Sequence, residues 1–221
     1  MATAAVDVPS HNRLEPGSSQ IQALPYPEAH PIGKLNVNVV ASEWIDKLNR
    51  ALSSQDYVAF KDLFLKNSCW RDQLGLSWDY HTLHGTEKMI SFLQESGSNG
   101  SRIKTLRIDD SNSTRQPTVS AVDFNGKING VASFLTIETD VGRGRGLVRL
   151  LPDPEDGGKW KAFTLFTAMH ELNGHEETVK ANRPHGVDHG EQRGRKNWQE
   201  RRHAMENFED GNEPTVLILG A

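Results

Sequence analysis

Residues 96–101 read Ser-Gly-Ser-Asn-Gly-Ser, and the period of the apolar residues changes across them. Before this stretch, Met89, Ile90 and Leu93 share one face of a helix that starts at Gly85-Thr86. After it the spacing drops to two. Ile103, Leu106 and Ile108 alternate imperfectly, Val119 to Phe124 follow, and residues 130–141 (GVASFLTIETDV) make a long β-rich run. Residues 147–151 and 160–169 (WKAFTLFTAM) complete four or five strands. Turn signals separate them at Asn125-Gly126, Gly142 to Gly146 and Pro152 to Gly158, and the second of these reads as a hairpin or bulge between two strands.

Upstream, residues 41–66 predict two short amphipathic helices. Ser42 is the expected N-cap of the first, with Trp44, Ile45, Leu48 and Leu52 as its apolar face. Asp56 is the expected cap of the second, which carries Tyr57, Phe60, Leu63 and Phe64. Two such helices cannot bury their faces alone. Helices followed by strands therefore predict an α+β class, with three N-terminal helices on a strongly curved antiparallel sheet around a conical apolar cavity.

Four regions follow. Residues 1–40 hold five of the ten prolines and read as an extended leader, with Leu24 to Pro27 as a possible docking segment. Residues 41–172 are the α+β domain. Residues 173–213 read as a linker loop and a polar helix with Trp198, Met205 and Phe208 on its apolar stripe. Residues 214–221 end in Val216-Leu217-Ile218-Leu219-Gly220, the pattern of a buried parallel strand entering a phosphate-binding turn.

Composition narrows the function classes. The chain has 221 residues, 36% hydrophobic, with a net charge of −4 and one cysteine. No basic footprint points to nucleic acid. One cysteine excludes an internal disulfide framework and a multi-cysteine zinc site. No apolar run is long enough for a membrane span, and the N-terminus lacks a secretory pattern, so a cytoplasmic protein is expected.

Candidate chemistry concentrates in residues 70–84, which hold Trp70, Asp72, Trp78, Asp79, Tyr80, His81 and His84. Strand alternation puts Trp70 and Asp72 on one face and Arg71 on the other. An aromatic-walled cavity would raise an Asp pKa and suit it to proton transfer. Asp72, Tyr80 and His170 are the candidate catalytic residues, and Trp70, Trp78 and Phe163 the candidate cavity lining. The competing expectation is that Asp72 is a structural carboxylate and the tryptophans are core. Metal binding is not expected, because His170 and His175 are five apart with Gly174 between them, and Pro184 and Gly186 disfavour a helix at His185 and His189.

Several stretches, in this order, resemble one family: Cys69-Trp70-Arg71-Asp72 with Trp78 to Gly85, then Trp160 to Thr167, then His185 to Gly190, Trp198 to Arg202 and Pro214 to Ala221. The chain resembles the N-terminal third of fungal flavin-containing monooxygenase-like proteins. In these, a nuclear transport factor 2-like (SnoaL- and ketosteroid-isomerase-like) cone precedes an FAD/NAD(P)-binding region. The resemblance implies FAD and NADPH for full-length relatives only. Gly220 would be the first glycine of their fingerprint, and the remaining glycines and the acidic ribose ligand are not in this sequence. It further implies an accessory domain, with pairing of two copies through the outer sheet face. The alternative is a cofactor-free isomerase, cyclase or dehydratase holding a small apolar polyketide- or terpenoid-like ligand in the cone.

Overall fold

A computed structural model of the chain describes residues 25–29, 32–33, 35–179, 194 and 196–207. The chain divides into two units, Met1–Glu177 and Thr178–Ala221.

The first unit begins with helix α1 (Val37–Ser54). Its cap is Asn36, whose side chain accepts from the Asn38 and Val39 amides at 3.2 and 3.4 Å, so the helix starts well over a turn before the expected Ser42. Ala41, Trp44, Ile45, Leu48 and Ala51 form its buried stripe. The helix stops where Gln55 turns left-handed (φ 54°) and returns its N–H to the last carbonyls. Helix α2 (Tyr57–Asp62) starts as expected at Asp56, which accepts from the Ala59 amide at 3.0 Å. It ends earlier than the apolar pattern suggests. Leu63 gives its carbonyl to the Trp44 indole at 2.9 Å, and Phe64 opens the first strand.

Strands β1 (Phe64–Gln73) and β2 (Tyr80–His84) lie on either side of a tight turn, and α3 (Thr86–Asn99) follows. Then come β3 (Ile103–Ile108), β4 (Thr118–Ala121), β5 (Asn129–Thr139), β6 (Gly142–Asp153) and β7 (Lys159–Leu172). The seven strands make one sheet in the order β2-β1-β7-β6-β5-β3, with β4 on β5.

The α+β class holds, but the sheet is mixed rather than antiparallel, and it is not strongly curled. Its parallel pair is β1 with β7, aligned Trp70 to Leu165 and Asp72 to Thr167. Gly142 to Gly146, expected as a turn, hairpin or bulge, is the start of β6, with a bulge in its pairing to β7 between Arg143 and Gly144. Gly142, Gly144 and Gly146 face inward and Arg143 and Arg145 outward. A β-carbon on Gly144 would collide with the Ala168 carbonyl of β7, so the two backbones approach too closely for any side chain.

The main core packs α1, α2 and α3 on one sheet face, with Trp44, Phe60, Trp70, Met89, Leu135 and Leu150 among its buried residues. Asn49 fastens α1 to β3. Its amide donates to the Leu106 carbonyl and accepts from the Leu106 N–H, both at 2.8 Å, in place of a strand partner. A second small cluster, of Leu65, Ile128, Leu151 and Phe163, lies apart from it. Tyr26, from the expected docking segment, rests its ring 6.1 Å from that of Phe163.

In the second unit, α4 (Trp198–Glu206) falls within the expected polar helix. Asn197 and Glu200 cap it reciprocally at 2.8 and 2.7 Å, and Arg202 lies 5.4 Å from the Trp198 ring centre. Phe208, the leader before residue 25, His185 to Gly190 and the terminal run with Gly220 lie outside the described residues.

Candidate functional site

Along β1, residues alternate as the sequence suggests: Trp70 and Asp72 are buried and Arg71 is exposed. Asp72 has no solvent exposure. One carboxylate oxygen accepts from the Thr167 hydroxyl in a short hydrogen bond. The other accepts from the Gly75 and Leu76 amides, each at 3.1 Å. Thr167 in turn accepts from the Trp70 indole at 2.9 Å. Burial pushes the Asp72 carboxyl above its ordinary value. The Thr167, Leu76 and Gly75 hydrogen bonds and the nearby His81 oppose that shift without cancelling it.

This knot shapes the chain around it. Leu74 sits in the left-handed region (φ 60°), a strained position for a branched residue that persists only where its surroundings hold it. The two amides clamped by Asp72 do so. Gly75 is required here, because a β-carbon would run into the Asp72 carboxylate. Asp72 therefore acts as the cap of a β1–β2 turn.

The other candidate residues do not join it. Tyr80 is 66% exposed on β2, the edge strand. His170 is exposed, and β7 carries a bulge at that point: Gly144 pairs with Met169 and Arg143 with Glu171, leaving His170 unpaired. No Asp72/His170 dyad forms. Trp78 is 72% exposed and lines a shallow recess instead of an interior cavity, because the turn held by Asp72 projects it outward. Phe163 is buried, but on the other sheet face. A second bulge pairs Arg149 with Thr164 and Leu150 with Ala162, which breaks the alternation that would have aligned Phe163 with Leu165. Trp70 lies in the core, its ring edge-on to Phe92 at 5.8 Å. His81 stacks on Phe92 at 4.5 Å and has a ring nitrogen 2.8 Å from the Ser77 hydroxyl.

The interior space beside Asp72 is small. The cavity lined by Asp72, Leu76, Ile103, Ile137 and Thr167 has a volume of about 10 Å³, room for a single water. Among the described residues, no group of three or more His, Cys, Asp or Glu side chains could hold a metal ion. Burial raises the Cys69 thiol above its ordinary value, against the weaker pull of Arg71, which suits an inert thiol. No helix among the described residues is long and apolar enough to cross a membrane.

No protein-family model and no curated protein matches the chain. Solved structures do resemble it at low identity. An NTF2-like protein from Cytophaga hutchinsonii is 14% identical over 62% of this chain and 100% of its own, with a TM-score of 0.42. ActVI-ORFA from Streptomyces coelicolor is 11% identical over 59% and 95%, with a TM-score of 0.42. Aln2 from another Streptomyces strain is 14% identical over 66% and 94%, also with a TM-score of 0.42.

The strand–glycine–helix passage β2–Gly85–α3 does not match the dinucleotide turn that the resemblance implies for full-length relatives: it offers one glycine where that turn needs three, and Glu87 puts a carboxylate in the first helical turn.

One sizeable opening was not anticipated from the sequence. A groove of about 680 Å³ runs between α1–α2 and α3 over the start of β3. Leu52, Phe60, Leu93 and Ile103 supply its apolar wall, and Gln94, Ser101, Arg102, Lys104 and Asp140 its polar one. Ser101 is 5% exposed, and its hydroxyl is buried without a hydrogen-bond partner. The sequence treats Ser101 only as part of a helix-breaking run. The available signal was its place between an amphipathic helix and a strand, where both elements must converge.

Proposed function

We propose that the first unit is a non-catalytic accessory cone of the nuclear transport factor 2-like kind, which in longer relatives precedes an FAD- and NAD(P)H-dependent monooxygenase region. One observation carries the non-catalytic part. Asp72, the best-placed acid in the cone, has both oxygens committed to structural donors, beside a cavity with room for one water. A general base needs a lone pair facing a substrate, and a space for one water admits none. The monooxygenase part rests on the sequence resemblance alone.

Flavin content tests it. The 221-residue chain, incubated with excess FAD and desalted, is expected to retain no flavin absorbance. A chain extended through the downstream reading frame is expected to retain about one flavin, as its glycine turn would be complete. Flavin held by the short chain, or none held by the extended one, overturns the reading.

One observation favours the second reading, a cofactor-free isomerase or cyclase: the carboxyl of Asp72 is raised, as a buried acid–base group requires. On that reading Asp72→Asn abolishes turnover with the fold intact. On the accessory reading its effect is on stability alone.

A further inference from the structure

Three features of the groove between α1–α2 and α3 point to a ligand. The first is size: about 680 Å³ lies within the range of small-molecule sites, and the filled interior beside Asp72 does not. The second is Ser101. A buried hydroxyl without a partner is destabilising by about 1–3 kcal/mol, and such groups are rare in folded proteins unless water or a ligand completes them. Ser101 lies between the groove and the recess under Trp78, and its amide is already committed to the Leu76 carbonyl at 3.0 Å. The hydroxyl alone is left over.

The third is charge. Arg102 spends its Nε and one terminal nitrogen on the Gly97 carbonyl, at 3.1 and 2.7 Å, which fixes the guanidinium plane and leaves Nη1 without a partner among these bonds. Lys104 stands 3.6 Å from Asp140, a loose pair with both side chains about half exposed. Two cations thus face one carboxylate around the groove's polar wall. Opposite lie Leu52, Phe60, Leu93 and Ile103.

We propose that this groove binds a small organic acid with an apolar, ring-sized body. Its hydrocarbon part lies against Leu52, Phe60 and Ile103. Its anionic oxygens accept from Arg102 Nη1 and the Lys104 ammonium, and from the Ser101 hydroxyl once that side chain turns from its solvent-excluded rotamer toward the groove. A charged acceptor strengthens each of these bonds, and the apolar wall lowers the local dielectric around them. The site is separate from Asp72 and its knot, so it stands whether or not the cone is an accessory domain.

The test uses the whole 221-residue chain and two dyes of similar body. One is the anion 8-anilinonaphthalene-1-sulfonate, the other the uncharged N-phenyl-1-naphthylamine. The anion is expected to bind saturably, about one per chain, and more tightly than the neutral dye. Lys104→Glu is expected to weaken the anion about tenfold or more and to leave the neutral dye nearly unchanged. Ser101→Ala is expected to weaken the anion while the thermal midpoint of the free protein stays the same or rises, since it deletes an unsatisfied group. That pairing separates a ligand contact from a structural one, because a hydroxyl serving the fold would lower the midpoint when removed. No saturable binding, binding indifferent to Lys104→Glu, or a lowered midpoint in Ser101→Ala each overturns the proposal.

Discussion

Asp72 and Ser101 are both buried polar residues of one small domain, and they are treated oppositely. Asp72 is surrounded by donors: two backbone amides and a threonine hydroxyl, itself bonded to an indole. Ser101 has a solvent-excluded hydroxyl and nothing to bond. A satisfied network specifies a fold, whereas an unsatisfied group beside a groove is tolerated where something else completes it. On the proposed reading, the acid that sequence reasoning selects for chemistry is a structural part, and the serine it passes over is the better candidate for contact with a ligand.

The largest expected effect is at the satisfied centre. Asp72→Ala strips the acceptor from two amides and a hydroxyl and releases the strained Leu74 turn. Unfolding in urea should show a loss of about 3–5 kcal/mol, and the thermal midpoint should fall by roughly 10 °C. A loss below about 1 kcal/mol would break the contrast with Ser101→Ala, which is expected to be neutral or stabilising.

Asn49→Ala comes next. It removes both bonds that hold α1 to Leu106 of β3, and a loss of about 1–3 kcal/mol in the same assay is expected. Hydrogen exchange at the Leu106 amide should rise with it.

The pH response sharpens the comparison with a second buried acid. Asp109 is 1% exposed and accepts from Ser111 and, at 2.7 Å, from Arg115, which together hold its carboxyl below the ordinary value. Its stabilisation is present above the unfolded value of 3.8 and is lost as pH falls through the lower folded value. Asp72 is raised, so its contribution is fullest below 3.8 and declines as pH rises through the higher folded value. The destabilisation by Asp109→Asn should therefore grow from acid conditions up to about pH 5, and that by Asp72→Asn should shrink from about pH 4 upward. Parallel urea titrations across that range decide it, and matching slopes for the two variants would sink the assignment.

The smallest effect is at the surface. Lys61 and Glu87 pair at 2.5 Å with side chains 55% and 78% exposed. Solvent and salt screen such a pair, and Lys61→Ala should leave the thermal midpoint where it is.

Much of the local structure was legible in the sequence because its causes are local. Asp56 capping α2, Gly85 opening α3, and the alternation that buries Trp70 and Asp72 and exposes Arg71 depend on residues within a few positions of one another. The Gly142 to Gly146 segment was legible only in part: its reading as a hairpin or bulge matches the register shift between Arg143 and Gly144, but not its place inside β6. Glycine ordinarily marks a turn, and here it marks the close approach of β7, a partner some twenty-five residues on. Phe163 and His170 were misplaced for a related reason. Alternation carries a side chain's direction along a strand only until a bulge adds a residue, and β7 has a bulge at each of these positions.

The sequence by itself determined the α+β class, the run of strands after α3, and the acid that faces inward on β1; it did not determine that β1 and β2 precede α3. Periodicity and capping are properties of neighbouring residues, so they survive without the rest of the molecule. Only the tertiary structure decided that β1 pairs in parallel with β7, that the resulting alignment sets Thr167 beside Asp72, and that the open space lies over Ser101 instead of at Asp72. The Thr167–Asp72 contact alone joins residues 95 positions apart. Closing so long a loop is favourable only through the cooperative packing of the whole sheet, which no local pattern records.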